Sequence, residues 1–445
     1  MSSLIVGSRI KLRPPSLGLL VLSSPSHSEK ALYYGRLAAE ELRKKHLNIV
    51  FSNQVITKRA ELKREIETLL PTVDCIVLLI SSLLDEELIS SIEEIPAPIV
   101  IWDPNDPATL SLPSSMSIRV LLEEKYKSYK FIIGKPEERQ ISQIASYARA
   151  CRGLSYLRSL RLGILGGFKS EYLYQYDLQK ISRIFNIKPI SLDNHLVIEY
   201  AEKLEESAIN DSMRKLTEAF TRVKSPPAYI IRALRLYLAL KRIVKEYELN
   251  ALLLNCGREI RQYSTYCLAL SLLSSEGFPI DCNADLYGIL SIIIAYYTTG
   301  RPAFSGFING IEFHDRILRV INCGAAPLNL APDLRDIVVF TQKEDIGKGV
   351  SLSFSIKRSR VTLLRLIKSN SSFSLLITSG DSFPVPRERL REDIEIWPHA
   401  FIKLDSNPSK LLSELKSNRI HIILGDYRRD LIELCNIMKL EPVLI

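Results

Sequence analysis

Cysteine is scarce in this 445-residue chain, which contains seven cysteines and no C-x-x-C pair. An odd number without close pairs argues against a disulfide framework and a zinc site, and it favours a reducing, cytoplasmic compartment. Long apolar runs are also missing, because none approaches the roughly 20 residues that a membrane helix needs. We therefore expect no membrane partner. The short apolar run after the basic and proline residues near the N-terminus is interpreted as a first strand instead of a signal peptide.

Charge of one sign is not concentrated anywhere in the sequence. The net charge is +9, with 46% hydrophobic and 24% charged residues, which is the composition of an ordinary globular protein. The densest basic cluster lies at residues 357–360, and no zinc-finger, RNP-like or helix-turn-helix pattern accompanies it. Nucleic acid is therefore not an expected partner. A phosphate-linked or RNA-linked role is kept only as a weaker hypothesis, behind the two classes of function described below.

Alternating apolar strands and helical segments divide the chain into three predicted domains. Residues 1–160 predict a flavodoxin-like α/β domain with a parallel sheet, and residues 161–330 restart that pattern. Residues 331–445 are dominated by strand-like stretches with short turns, which indicates an antiparallel β-barrel-like domain. The predicted fold class is therefore α/β, with two flavodoxin- or Rossmann-like domains followed by a β-rich C-terminal domain.

Three polar turns that contain cysteine interrupt the apolar runs between residues 251 and 328. The turns at Cys256 and Cys323 follow predicted buried strands, and the turn at Cys282 opens a predicted helix. Asp285 is placed to cap that helix, because its carboxylate can accept the unpaired amides of the first turn. Since ligand sites in α/β proteins lie at the carboxyl ends of strands, we expect the three turns to meet at one sheet edge and line a pocket.

These turns resemble motifs of the L-fucose and L-arabinose isomerase family, which interconverts aldoses and ketoses with a divalent metal. The segments that carry the resemblance are Cys-Asn-Ala-Asp at 282–285, Arg-Pro-Ala-Phe at 301–304, Asn-Cys-Gly-Ala-Ala-Pro at 322–327, Trp-Pro-His-Ala-Phe at 397–401 and Gly-Asp-Tyr at 425–427. The likeness covers most of the chain after about residue 161. It implies a protein of carbohydrate-metabolism ancestry that assembles as a homo-oligomer.

This chain has other residue types at the three positions to which the resemblance assigns the family's metal ligands. The enediol chemistry of that family uses a base, an acid and Mn²⁺ or a similar ion, which a Glu, an Asp and a His hold. The corresponding positions in this chain are Asn283, Phe307 and Arg419. A neutral amide is a weak ligand, a benzene ring offers no ligand atom, and a guanidinium repels a cation. We therefore expect no metal cofactor at this site and assign no catalytic residue there.

Two classes of function remain open. In the first, the chain is a non-catalytic descendant of an isomerase that binds a small polyol, a sugar or an anion, or that serves in an assembly. The candidate pocket residues are Glu259, Asn283, Asp285, Asn322, Arg419 and His421. In the second, the chain is a diverged but active sugar isomerase with relocated acids such as Glu259, Asp285 or Glu312. Whether the chain is an enzyme therefore stays undecided at this point.

Several of these candidates also have structural interpretations. Glu259 could accept a hydrogen bond in a pocket or form an ion pair with a neighbouring arginine. Asp285 could act only as a helix cap, and Asn322 could simply end a strand. His421 lies two residues after Arg419, so the two side chains would share one face of a strand. An imidazole there would still lack the carboxylate partners of a metal site.

Overall fold

The structure, a computed structural model, describes the whole chain except residues 1–11, 169–175, 177 and 370–371. Among the described residues, no helix combines the length and the apolar character that crossing a bilayer would require.

The described residues form two compact units. One comprises residues 12–155 and 429–439, and the other comprises residues 156–428 and 440–445. We call them the N-terminal unit and the main unit. The predicted division into three domains is a finer partition than these two units, and it stays a prediction.

The N-terminal unit is built on a parallel sheet. Its strands are β1 (Ser16–Leu22), β2 (Asn48–Val50), β3 (Val55–Ile56), β4 (Cys75–Ile80), β5 (Ile99–Asp103) and β6 (Tyr129–Ile133). Its helices in this part of the chain are α1 (Ser28–Arg43), α2 (Arg59–Leu69), α3 (Glu86–Ser91), α4 (Ser111–Glu124) and α5 (Glu138–Leu157). The strand order is β2-β1-β4-β5-β6, and β3 also pairs with β1. Alternate residues of β1 enter two separate apolar clusters, because successive side chains of a strand point to opposite faces.

A helix from near the C-terminus completes the N-terminal unit. This helix, Arg428–Met438, buries Leu431 and Leu434 completely. Its Asp430 is also buried and pairs with Arg149. This segment therefore packs with residues 12–155 although it is far from them in the sequence, and its packing contributes to the stability of the unit.

The first part of the main unit contains a four-stranded parallel sheet. The strands of this part are β7 (Arg161–Leu165), β8 (Lys188–Leu192), β9 (Arg222–Val223), β10 (Ala251–Leu254) and β11 (Ile280–Asp281). The helices are α6 (Leu178–Phe185), α7 (Asn194–Glu202), α8 (Glu206–Ala219), α9 (Pro227–Glu246), α10 (Arg258–Tyr263), α11 (Cys267–Ser275) and α12 (Leu286–Thr299). The sheet order is β11-β10-β7-β8. The chain moves from β7 to β8 on one side and later to β10 on the other, so its direction reverses beside β7.

The second part of the main unit is dominated by a seven-stranded mixed sheet. The strands of this part are β12 (Phe304–Glu312), β13 (Ile317–Ile321), β14 (Val338–Thr341), β15 (Val350–Ser353), β16 (Ser359–Ser369), β17 (Ser372–Phe383), β18 (His399–Leu404), β19 (Arg419–Leu424) and β20 (Glu441–Leu444). The helices are α13 (Arg387–Glu392), α14 (Pro408–Leu415) and α15 (Arg428–Met438), the last of which packs in the N-terminal unit. The order is β16-β19-β12-β13-β18-β17-β20, and β16 also pairs with β17. Six of the strands therefore form a ring of hydrogen-bonded neighbours, while β14, β15 and β9 form a small separate sheet.

The structure confirms the mixed α/β class, with parallel sheets before a largely antiparallel C-terminal sheet, whereas the barrel stays a prediction. One expectation is wrong. The predicted strand at Ile317–Ile321 exists, but it pairs with β12 and β18 and not with the parallel sheet. The three cysteine turns consequently do not share one sheet edge, although they do approach one another.

The packing of α15 generates a first prediction. Leu434→Ala should lower the free energy of unfolding by about 2–5 kcal/mol, because it leaves a cavity at a fully buried position. Urea denaturation of the full chain measures this change. Arg429→Ala, on the exposed face of the same helix, should change it by less than about 0.5 kcal/mol. Equal, small effects of the two substitutions would contradict the burial of α15.

Candidate functional site

The turn between β11 and α12 places the acidic residues of the site. Asn283 and Ala284 both adopt left-handed backbone conformations, with φ of 66° and 54°. Asparagine tolerates this region better than alanine does, so the turn is tightly constrained at Ala284. Asp285 follows and accepts a hydrogen bond from the Gly288 amide at 2.9 Å. The predicted helix cap is therefore confirmed.

Two arginines and two aspartates form a buried charge network around that turn. Arg419 donates to both carboxylate oxygens of Asp281, at 2.8 and 3.0 Å, and to Asp285 at 3.2 Å. Arg365 donates to both oxygens of Asp285, at 2.7 and 3.0 Å. All four side chains are buried. The network is therefore neutral overall, with two cations balanced by two anions in a desolvated place.

The network sets the charge states of its members. Burial alone would raise the pKa of Asp281 and of Asp285, but the neighbouring guanidinium groups hold both pKa values below the usual range. Burial would likewise lower the pKa of Arg419, and the two carboxylates raise it. The ion pairs thus outweigh desolvation at these sites, so both acids stay ionised and are committed to the arginines.

Two of the three positions that the resemblance assigns to the family's metal ligands, Phe307 and Arg419, are in contact, and the third, Asn283, lies close to them in the fold. Phe307 and Arg419 are paired across β12 and β19, and the guanidinium carbon lies 5.3 Å from the centre of the phenyl ring. Arg419 also donates to the carbonyl oxygen of Cys282, next to Asn283, at 3.2 Å, and to the hydroxyl of Ser305 at 2.6 Å. These residues do not fit a metal ion, because the group at their centre is itself a permanent cation.

Asn322 and His421 are both inside the fold. The Asn322 amide donates to the Ser305 carbonyl at 2.6 Å and accepts from the Ala325 amide at 2.9 Å, so it fixes the turn after β13. His421 is completely buried, and its Nε2 lies 3.8 Å from the Asp281 carboxylate, beyond hydrogen-bond distance. Burial lowers the pKa of His421, which keeps the imidazole neutral.

The two other acids that were considered as relocated ligands differ in whether arginine side chains already engage their carboxylates. Glu312 is engaged by two arginines, with Arg319 Nε at 3.0 Å and Arg389 at 3.5 Å. Glu259 is exposed and faces His195, whose Nε2 lies 3.6 Å from the Glu259 carboxylate. Since Asp285 is also engaged, Glu259 is the one of these three acids that remains free of arginine partners among the described residues.

The cysteine turns meet at a small cavity of about 70 Å³. Cys256, Cys282 and Cys323 line it, as predicted, together with Cys267. Contact with Cys323 and burial raise the pKa of Cys282, and burial raises the pKa of Cys267 to about 12. Those two thiols are therefore protonated at neutral pH and are poor nucleophiles.

Two donors in the lining of this small cavity lack partners. The Nδ2 atom of Asn283 and the Nε atom of Arg261 are buried, and neither has a hydrogen-bond partner among the described residues. Arg261 otherwise makes a long contact of 3.5 Å from Nη1 to the Ile346 carbonyl. Because Arg261 and Asn283 both direct unpaired donors into the cavity, the cavity can bind a group with several acceptor oxygens.

A second, larger cavity of about 500 Å³ lies at the carboxyl ends of three parallel strands. Its lining follows β7, β8 and β10 and consists of Gly166, Gly167, Ser191, Leu192, Asp193, Asn194, Gly257, Arg258 and Glu259. The strand order reverses between β7 and β10, and a crevice at such a switch point is the usual ligand position in an open α/β sheet.

Comparison with known proteins shows which sequences this chain is similar to. Residues 320–444 match the L-fucose isomerase C-terminal domain. Over 431 residues, 93% of this chain and 95% of the relative, the chain is 20% identical to a sulfoquinovose isomerase of Priestia aryabhattai. The chain is fucose isomerase-like.

Two further relatives agree with this result. A sulfoquinovose isomerase of Alkalicoccus urumqiensis is 22% identical over 73% of this chain and 75% of its own length. One of Clostridium sp. (strain MSTE9) is 25% identical over 70% of this chain and 71% of its own. The predicted family resemblance of this fucose isomerase-like chain is therefore confirmed, and its isomerase ancestry is supported.

Sequence reasoning missed several residues of the fucose isomerase-like chain that matter here. They are Asp193, His195, Arg261, Asp281 and Arg365. Arg365 did leave a signal, since it is a lone charge in the apolar run of residues 361–367. A charge in a strand buried on both faces requires a counterion, but the sequence does not reveal which one.

The network predicts a large effect of one conservative change. Asp285→Asn keeps a residue that can cap α12 but leaves Arg365 without its carboxylate, so the free energy of unfolding should fall by about 3–5 kcal/mol at pH 7. Chemical denaturation measures the change. Asp211→Asn, which disrupts an exposed ion pair on α8, should have little effect. A similarly small loss for Asp285→Asn would contradict the network's contribution.

The same variant predicts a pH dependence. The folded-state pKa of Asp285 lies below an unfolded value of about 3.9. The stabilisation from ionised Asp285 is therefore complete above about pH 5 and is lost as the pH falls through the folded-state pKa. We expect the stability difference between the natural chain and Asp285→Asn to shrink between pH 5 and pH 3. A difference that stays constant over this range would show that Asp285 does not act through its charge.

Proposed function

We propose that this fucose isomerase-like chain binds a small sugar with an anionic group, and that it does so without a divalent metal at the inherited position. The pairing of Arg419 with Asp281 and Asp285 is the observation that carries the proposal. It supports the proposal because the resemblance assigns a metal ligand to the position that the guanidinium of Arg419 occupies. Metal-assisted movement of a proton between two sugar carbons has no support from the side chains at that position.

The anionic group is assigned to the small cavity. Arg419 was the predicted anion-binding residue, but its Nη atoms already bond to Asp281, Asp285, Ser305 and the Cys282 carbonyl. Arg261 is the better candidate, because no carboxylate partner is found for it among the described residues. A cavity of about 70 Å³ is well below the roughly 300–1,000 Å³ of usual small-molecule sites, so it suits a head group and not a whole sugar.

Sulfoquinovose, a sugar that carries a sulfonate, is the ligand that best combines these requirements. The relatives that span most of this chain are named for that sugar. A sulfonate offers three acceptor oxygens, and a guanidinium can donate to two of them at once. The unpaired amide of Asn283 supplies a further donor in the same cavity.

A second candidate function is a retained sugar isomerase with relocated acids. The observation in its favour is Glu259, which lies with Asp193 and His195 beside the larger cavity. At about 500 Å³, that cavity is within the usual range for small-molecule sites. Asp285 and Glu312, the other acids considered, do not support this function because arginines engage both.

Binding of the sulfonated sugar tests the first candidate. Isothermal titration of the full chain with sulfoquinovose should give saturable binding that a chelator does not change, and Arg261→Gln should weaken it at least tenfold. Arg64→Gln removes the same charge from an exposed position of the N-terminal unit and should leave the affinity unchanged. Equal affinity for the same sugar without its sulfonate would overturn the assigned anion site.

Turnover separates the two candidates. The chain is incubated with sulfoquinovose and Mn²⁺, with and without a chelator, and ketose formation is followed by NMR. The first candidate predicts no conversion under either condition. Conversion that needs the metal and disappears in Glu259→Gln would support the second candidate and refute the first.

A further inference from the structure

We propose that Asp193, His195 and Glu259 form a binding site for a divalent transition-metal ion at the edge of the four-stranded sheet. One ligand atom from each of the three residues lies within 4.8 Å of the other two. The imidazole Nε2 of His195 lies 3.6 Å from the Glu259 carboxylate. This trio is separate from the inherited metal position at Asn283, Phe307 and Arg419.

The strand ends explain why these three side chains meet. Asp193 follows β8 directly and Glu259 follows β10 after a short turn, while β7 lies between the two strands. His195 is the second residue of α7, whose first turn Asp193 caps by accepting the His195 amide at 2.7 Å. That bond uses one oxygen of Asp193, Oδ1, and the carboxylate has a second oxygen for a ligand.

Hydrogen bonds hold these strand ends together. Asn194, which lies between the two ligands on α7, is buried and donates to the Asn255 carbonyl at 3.1 Å. It also accepts from the Tyr266 hydroxyl at 2.8 Å. Asn255 in turn donates to the Gly166 carbonyl at 2.9 Å. The exposed trio therefore sits on a frame that ties β7, β10 and α7, which is the support that a preorganised site needs.

The chemistry of the donor set selects the class of ion. Two carboxylates and one imidazole suit Mn²⁺ or Zn²⁺ and are poor ligands for soft ions such as Cu⁺. At metal–ligand distances of about 2.1 Å, neighbouring ligand atoms of an octahedral ion lie about 3 Å apart, so small side-chain rotations would close the site. Three protein ligands leave positions open toward the cavity of about 500 Å³. Vicinal hydroxyls or water could complete the coordination.

Arg258 lines the same cavity and offsets part of the negative charge. We therefore expect moderate affinity instead of a permanently held structural ion. The inference extends the second candidate function, but metal binding requires no sugar and no turnover. Its failure would leave the sulfonate site at Arg261 untouched, and failure of that site would leave the metal site untouched.

Mn²⁺ titration of the full chain, followed by the loss of the free-ion EPR signal, tests the site. The natural chain should bind one equivalent. Asp193→Asn preserves the helix cap, and both this variant and Glu259→Gln should weaken binding at least tenfold. His195→Gln should weaken it to a similar extent, because an amide replaces a strong nitrogen ligand.

Glu199→Gln is the matched control. Glu199 lies on α7, is exposed, and pairs with Lys203 at 2.5 Å, so the variant removes the same charge from the same helix without touching the trio. It should bind Mn²⁺ like the natural chain. The proposal is overturned if the natural chain shows no saturable site below about 1 mM. It is equally overturned if the trio variants bind normally, or if Glu199→Gln weakens binding as much as they do.

Discussion

A buried guanidinium requires nearby carboxylates, and the chain meets this requirement for Arg419 with Asp281 and Asp285. Removing a charge from water costs several kcal/mol unless its partners compensate, and removing one partner of such a pair is strongly destabilising. These acids are therefore not spare ligands that a cation could recruit. Taking either of them away would leave two buried guanidinium groups with a single carboxylate between them. The arrangement of Arg419, Asp281 and Asp285 thus follows from the electrostatic requirements of a buried cation.

The side chains of Phe307 and Arg419 complement each other chemically. The edge of the Arg419 guanidinium donates hydrogen bonds to carboxylates, and its flat face must pack against another side chain. Phe307 provides that contact, because the face of a phenyl ring carries partial negative charge and attracts a guanidinium. An acid at residue 307 would have competed with Asp281 for the same cation. The charge network also joins β11, α12, β16 and β19, so its residues hold four elements together.

Sequence reasoning succeeded where local pattern determines structure. The apolar run of β10, the cap at Asp285 and the end of α12 at Gly300 were all readable, because each depends on neighbouring residues. The alignment that brings Phe307 and Arg419 together came from the family resemblance. Partners far apart in the chain were not readable, as Arg365 and Asp285 are 80 residues apart. The strand β12 also escaped prediction, since its glycines and polar residues weaken the apolar pattern.

The two cavities share the segment of residues 256–261, which gives the two proposed sites a physical connection. Cys256 and Arg261 line the small cavity, whereas Gly257, Arg258 and Glu259 line the large one. A guanidinium on one side of this segment favours an anion, and the carboxylate of Glu259 on the other side favours a cation. The start of α10 therefore separates a cavity whose Arg261 favours an anion from a cavity whose Glu259 favours a cation, and neither proposed site requires Arg419.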